Sequence, residues 1–371
     1  MEGALRGFLL GKGVDDAEAD GGWKKSDMVL LGKVSTALHL KKIDELEEVN
    51  RKRAMMSAIE DRALVLDADA EQAIEFRRSW IAQWSGNYGS FDDISEFSIS
   101  LLGFAFDSAL QYSIFSVSVG AIRGDLHWPL DVFGMVAVRD SVDRNRNLLF
   151  YRARNNYQTL TEKDHCLSLS GPSRAVVVSN PVSDPVMIEV ELKVKGINES
   201  KDKDLSLLAV LLKFSDNEWG SSCQHIIYSV FTSKLSSLLF TFGGIALSVE
   251  ATIFIRVLDG SWPHGFHGQF AAHTSSIDRE RVILLDFGDN NVPVNGDGIM
   301  KLSRQVVSVE VNGKLIVSFK AWKDDGKEVV GKATLKPAKA GRSYRNLGFG
   351  SCIIEILVAW SLISPDPEPD Y

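Results

Sequence analysis

Asp125-Leu126-His127-Trp128-Pro129-Leu130-Asp131-Val132-Phe133-Gly134-Met135-Val136-Ala137 and Gly260-Ser261-Trp262-Pro263-His264-Gly265-Phe266-His267-Gly268-Gln269-Phe270-Ala271 share one pattern. Each carries Trp-Pro, four residues, a Gly, one residue, a large apolar residue and Ala. The same offset of 134 residues separates Trp128 from Trp262 and Gly134 from Gly268. A constant register across alternating apolar positions points to a duplicated β unit. Two further matches extend it. Ser173-Arg174-x-Val176-Val177 pairs with Ser303-Arg304-x-Val306-Val307, and Leu192-Lys193 pairs with Phe319-Lys320, at offsets of 130 and 127. The falling offset implies shorter loops in the second copy.

From about residue 112 the chain reads as strands. Met187–Val194 and Lys314–Lys320 alternate apolar and polar residues, as strands buried on one face do. Further strands are predicted over 114–122, 133–140, 148–152, 166–169, 174–179, 205–213, 227–232, 235–242, 249–258, 269–273, 282–287, 298–302, 305–311, 329–335 and 351–362. Asn312-Gly313 is the strongest hairpin signal. Asn295-Gly296-Asp297-Gly298 and Asp324-Asp325-Gly326 mark further turns. The expected fold is mainly β, an antiparallel sandwich architecture over 112–364 with a helical appendage before it. Tandem copies over 112–246 and 247–363 would build either one sandwich or two.

Residues 1–36 are rich in Gly, Ala and Asp without a period, and the tail 365–371 alternates Pro with acidic residues; both are expected to be disordered. Residues 37–90 make up the helical appendage. Its first part, 38–66, is helix-forming and carries the stripe Ile43, Leu46, Val49 amid charges of both signs. Its second part is a helix over 70–84, opened by the capping box of Asp69 and Gln72. Phe76, Trp80 and Trp84 recur on one face, which is expected to dock on the β core. Turn residues 85–90 end the helix, and Tyr88, Phe91 and Phe97 of the segment after it are expected to pack.

The net charge of −8 argues against general binding to nucleic acid or anionic membranes. No run of about 18 apolar residues exists, so no membrane span is expected. Cys166, Cys223 and Cys352 lie far apart, without a C-x-x-C pair, which fits a reducing compartment better than a disulfide framework. The first ten residues lack the pattern of a signal peptide, so the Asn198-Glu199-Ser200 sequon is expected to be silent. A cytoplasmic or nuclear location without secretion is the expectation.

Ile122–Gly134 with Val138-Arg139-Asp140-Ser141 resembles one family, Domain of Unknown Function 6598, a plant family expanded in cereals. So do Asn155–Thr161, Leu169–Val177, Glu189–Gly196, Ser248–Thr252, Val307–Glu310 and Val358–Leu362, in order along the chain. Phe76-Arg77-Arg78-x-Trp80 and Trp84–Phe91 are similar to it as well. The resemblance marks Trp128, Pro129, Gly134, Arg139, Asp140, Trp262, Pro263 and Gly268 as family-motif positions. It implies no catalytic residue, because the family has none assigned. In some cereal proteins a similar domain accompanies a ribosome-inactivating rRNA N-glycosidase domain. That domain's Glu-Ala-x-Arg pattern does not occur here. Tyr157 stands where relatives often have Cys.

Other candidate sites are weak beside their structural readings. His264, His267 and His273 are dense enough for a metal site, but their glycines suit a loop between strands. Asp140 with Asp143, and Asp286, Asp289 and Asp297, fit calcium ligation less simply than turn chemistry. Gly11-Lys12-Gly13 lacks the rest of a phosphate loop. Arg144, Arg146, Arg152 and Arg154 with Tyr151 and Tyr157 suit a charged sheet edge better than a nucleic-acid surface, with Arg152 and Arg154 on one strand face. His165 and Cys166 are adjacent, so on a strand they point apart and make no dyad. Trp128 and Trp262 read as lids over the open end of a core.

The function expected is a non-enzymatic interaction or recognition module, plausible in cereal stress or defence. It would need no cofactor and no metal, and would bind a protein partner or itself through the N-terminal helices. The alternative is a relative or partner of the rRNA N-glycosidase that lacks the catalytic Glu/Arg pair.

Overall fold

A computed structural model describes residues 68–95, 110–178, 184–212, 225–288 and 293–362. The expected disorder at both termini, the helix over 38–66, Phe97, Cys223, Asp289 and Gly11-Lys12-Gly13 lie outside them.

The helix α1 spans Ala68–Tyr88, four residues past its predicted end. Seventeen strands follow among the described residues. In chain order they are β1 (Leu110–Ile122), β2 (Leu130–Arg139), β3 (Asn147–Arg152), β4 (Gln158–Leu160), β5 (Val176–Val178), β6 (Met187–Val194), β7 (Lys203–Leu211), β8 (His225–Thr232) and β9 (Ser236–Ile245). Then come β10 (Ser248–Asp259), β11 (His267–Thr274), β12 (Ile277–Phe287), β13 (Val306–Glu310), β14 (Leu315–Trp322), β15 (Glu328–Leu335), β16 (Ala340–Phe349) and β17 (Cys352–Ser361).

These strands form four antiparallel sheets in two matching pairs. The orders β5-β1-β9-β8 and β3-β2-β6-β7 recur as β13-β10-β17-β16 and β12-β11-β14-β15, with β4 added beside β2 in the first copy. Each pair encloses its own apolar core. Val117, Val136, Phe150, Val190, Phe240 and Phe242 belong to the first; Ile253, Phe270, Leu284, Phe319, Ile356 and Val358 belong to the second. The chain is therefore two sandwiches, not one built from two halves. Even an irregularity repeats. The β2–β3 ladder skips Leu149 between Val136 and Ala137, and the β11–β12 ladder skips Leu284 between Phe270 and Ala271.

That register corrects two of the sequence matches. Ser170 and Gly171 donate their amides to the Leu149 carbonyl, as Ser303 and Arg304 do to that of Leu284. Ser303-Arg304 thus corresponds to Ser170-Gly171, not to Ser173-Arg174. Gly134 pairs with Leu192 and Gly268 with Ala321, so Leu192 corresponds to Ala321 rather than Phe319. Chance identity of short pairs outweighed register, which shared hydrogen bonds define.

Asn312-Gly313 turns the chain, but not in a hairpin. β13 pairs with β10, and β14 pairs with β11 and β15, so the turn crosses from one sheet to the other. Residues 166–169 and 298–302 are not strands. They supply only the bridges of Cys166 to Ser118, Ile299 to Arg256 and Met300 to Val294.

Only Ala246 and Leu247 join β9 to β10. The short link holds the outer faces of the two sandwiches together. Phe115 from β1 lies in the second core, and the Ser308 amide donates to Ser113 Oγ. Ala175, Val177 and Val306 form a small apolar cluster there. This seam explains why β9 and most of β1 and β10 are buried on both faces instead of alternating. No helix among the described residues is long and apolar enough to cross a membrane.

Candidate functional site

The two Trp-Pro motifs occupy equivalent places, in the β1–β2 and β10–β11 connections. Trp128 packs half-buried on the first core. Trp262 lies among Phe270, Phe287, Phe319 and Phe349 with ring centroids 4.7–5.8 Å away. Its indole nitrogen donates to the Phe266 carbonyl at 3.4 Å. Both are lids over a core, as their loops suggested. The motif glycines share a place but not a reason. Gly134 has φ +118°, and a Cβ there would overlap the Glu191 carbonyl; at Gly268 it would meet the Phe287 ring.

Arg139 ends β2 and Asp140 follows it, each in a buried charge network. Arg139 donates to the Glu189 carboxylate at 2.9–3.0 Å and to the carbonyls of Arg144 and Phe91 at 2.7 Å. Its guanidinium lies 4.3 Å from the Phe91 ring and 5.1 Å from Trp80. Arg77 and Arg146 approach the same Phe91 ring at 4.8 and 4.9 Å. Asp92 accepts from both of these arginines, at 2.7 and 2.8 Å. Trp80 donates its indole proton to the Arg144 carbonyl at 2.9 Å, while the Arg144 guanidinium covers Trp84. The predicted face of α1 does dock, but through arginine–aromatic stacking more than through apolar contact. Burial pulls the Arg139 pKa down against the attraction of Glu189. Burial also pushes the Asp92 carboxyl up, yet Arg146 and Arg77 outweigh it and hold the group below its ordinary range.

Asp140 is fully enclosed and paired with Arg174 at 2.6 and 2.8 Å. It also accepts the amides of Val142, Asp143 and Val177. In the seam beyond, Glu250 accepts the Ala175 amide at 2.6 Å, and burial raises its pKa. Arg304 reaches across the other way, donating to the Ile114 and Phe115 carbonyls. Burial draws its pKa down to about 9.

The remaining candidates separate. His264 is exposed. His267 contacts Asp324 at 3.2 Å, and His273 is buried at the other end of β11. Among the described residues no three His, Cys, Asp or Glu side chains converge on a metal position. Asp143 accepts the Ser95 hydroxyl and Asp286 accepts from Gln269. Arg152 ends the edge strand β3, but Arg154 has left it for a 3-10 turn, where it binds Asp202 at 2.8 Å, so the two share no strand face. Tyr151 is exposed, and Tyr157 lies under the Lys195 ammonium. Cys166 is exposed, while the His165 ring contacts the Glu162 carbonyl.

Two open cavities lie on the second sandwich. One, of about 550 Å³, is walled by Trp262 with Asp259, His264, Val294 and Asn295. The other, of about 460 Å³, is lined by Gln269, Lys320, Trp322, Lys323, Gly326 and Glu328. Neither holds a Glu beside an Arg. The second was missed in the sequence, where the predicted strand stops at Lys320 and Trp322 falls between it and the turn at 324–326. Its signal was the charge-rich turn Lys323-Asp324-Asp325-Gly326-Lys327-Glu328 directly after that Trp.

The fold and these surfaces define a tandem β-sandwich protein with a helix clasped by arginines and two tryptophan-walled cavities. Residues 111–358 match the family described as Domain of unknown function (DUF6598), and the chain belongs to that family. No curated protein matches. Among solved structures the chain is similar to the paired C2 domains of Extended-Synaptotagmin 2, at 9% identity and a TM-score of 0.24, over 73% of this chain and 98% of that one. It is also similar to human GIVD cytosolic phospholipase A2, at 7% identity and a TM-score of 0.20. That match covers 71% of this chain and only 33% of the enzyme. Likeness at this level carries no argument about function.

Proposed function

We propose that this protein is a non-enzymatic recognition module, acting in the cytoplasm or nucleus of a plant cell, in stress or defence. One observation carries the reading. Trp262 and Trp322 each wall an open cavity on the second sandwich, whereas the buried charges, Arg139, Asp140, Arg174 and Glu189, are engaged in holding the fold. Half-exposed indoles in a concave surface favour binding, since they offer a large, rigid contact area. The alternative tie to rRNA depurination draws no support from either cavity. Glu328 is paired with Lys320, and the Trp262 cavity contains no Glu.

The test compares the full chain with a Trp262→Ala/Trp322→Ala variant in two assays. One is retention of ligands from a plant extract; the other is release of adenine from intact ribosomes. The reading expects retention that the variant loses, without adenine release. Adenine release by the purified chain would overturn it.

A further inference from the structure

We propose that the cavity beside Trp322 binds a neutral polyhydroxylated ligand, a short stretch of oligosaccharide. This deepens the recognition-module reading and rests on it.

The cavity is built on the outer face of the sheet β12-β11-β14-β15. Phe270, Phe319 and Ala321 point into the core. Their strand neighbours therefore face out. The register sets His267 opposite Trp322 and Trp322 opposite Glu328; one pair along, Gln269 stands opposite Lys320. His267 lies nearly parallel to the indole, at 9° and 5.9 Å, and is itself anchored on Asp324. The imidazole thus lies beside the indole on the same outer face. Gly326, at the turn between β14 and β15, has open space where a side chain would stand, which leaves the rim clear.

Around the indole stand hydrogen-bonding groups that are already oriented. Lys320 Nζ is 2.9 Å from the Glu328 carboxylate, and the Gln269 amide donates to Asp286 at 2.7 Å. Each retains further donor or acceptor capacity for hydroxyls. The lining carries Lys320 and Lys323 against Glu328; Lys320 is paired with Glu328, and the Lys323 ammonium lies 4.6 Å over the Phe266 ring. One lysine beyond the ion pair suits a neutral ligand better than a phosphate, which calls for a larger surplus of cations. A sugar ring supplies what this arrangement fits, with an apolar C–H face for the indole and hydroxyls for the rim. In the first sandwich Phe133 stands where the second has His267, but the indole itself is not repeated. Register places Lys193, Met135 and Glu191 where the second has Trp322, Gln269 and Lys320. The site belongs to one copy.

The test follows the Trp322 indole N–H resonance of the full chain, assigned with Trp322→Phe. The chain is titrated with neutral hexasaccharides of glucose, xylose and mannose, and separately with inositol hexakisphosphate. The expected result is a saturable shift with at least one neutral sugar, and an affinity, read by calorimetric titration of the same sugar, that is weakened about tenfold in Trp322→Ala and also in Gln269→Ala, with melting temperatures unchanged. A shift with the phosphate probe alone would overturn the ligand class and leave the recognition reading standing. No shift with any probe would overturn the site. Cleavage of a bound hexasaccharide would overturn the non-enzymatic reading instead.

Discussion

Arg174 grips Asp140 through both terminal nitrogens, at 2.6 and 2.8 Å, with the carboxylate fully enclosed. Arg304, in the same seam, is as buried but donates to two backbone carbonyls. The difference sets the cost of losing each. Arg174→Met leaves a carboxylate buried with only amides around it, a loss of about 3–5 kcal/mol. Arg304→Met removes a desolvated cation and strands no charge, so its cost is expected to be smaller. Urea unfolding of both variants, compared by midpoint, checks the order.

The clasp on α1 makes a second expectation. Arg139→Met removes the stacking under Trp80 and Phe91 and leaves Glu189 to Arg146 alone. A loss of about 2–4 kcal/mol is expected, combining broken charge-assisted hydrogen bonds and cation–π contact. Faster amide exchange in α1 than in the second sandwich would show the helix released. Unchanged exchange in α1 would mean that the arginines do not hold it.

Much of this fold was legible in the sequence because apolar alternation reports burial directly. Met187–Val194 has its predicted limits. What escaped did so for physical reasons. β16 is an edge strand whose residues are mostly exposed, with Leu347 and Phe349 its buried residues, so it showed no period. Asn312-Gly313 reports a reversal of the chain but not which sheet receives the next strand. Arg139 and Asp140 stood out as motif positions, yet their partners Glu189 and Arg174 lie 50 and 34 residues away. Trp322 carried no motif and became a site only when register set it beside His267 and Glu328.

Glu250 gives a pH dependence with a definite sign. Burial raises its folded pKa above the ordinary 4.5, against the Ala175 amide and Arg174. The folded state therefore holds this proton more tightly than the unfolded one. Stability from this group is full below about the ordinary value and falls as pH rises through the raised one. Glu250→Gln is expected to melt above the parent at pH 7, with the gap closing towards pH 4. A gap independent of pH would contradict a buried ionised Glu250.

The motif glycines predict unequal costs. Gly134→Ala meets the Glu191 carbonyl, which its ladder holds in place, and must also adopt φ +118°. Gly268→Ala meets the Phe287 side chain and has no such backbone demand. Gly134→Ala is expected to be the more damaging, by about 1–3 kcal/mol. Equal melting temperatures would contradict this.

The division of labour between buried charges and cavity tryptophans is best tested by one paired measurement. Melting temperature and ligand retention are recorded together for Arg139→Met and for Trp262→Ala/Trp322→Ala. The arginine variant should melt earlier and, while folded, retain ligand as the parent does. The tryptophan variant also loses the Trp262 lid over the second core and so should melt earlier too, but it should lose retention while still folded. Loss of retention in the folded arginine variant, with retention intact in the tryptophan variant, would contradict the account.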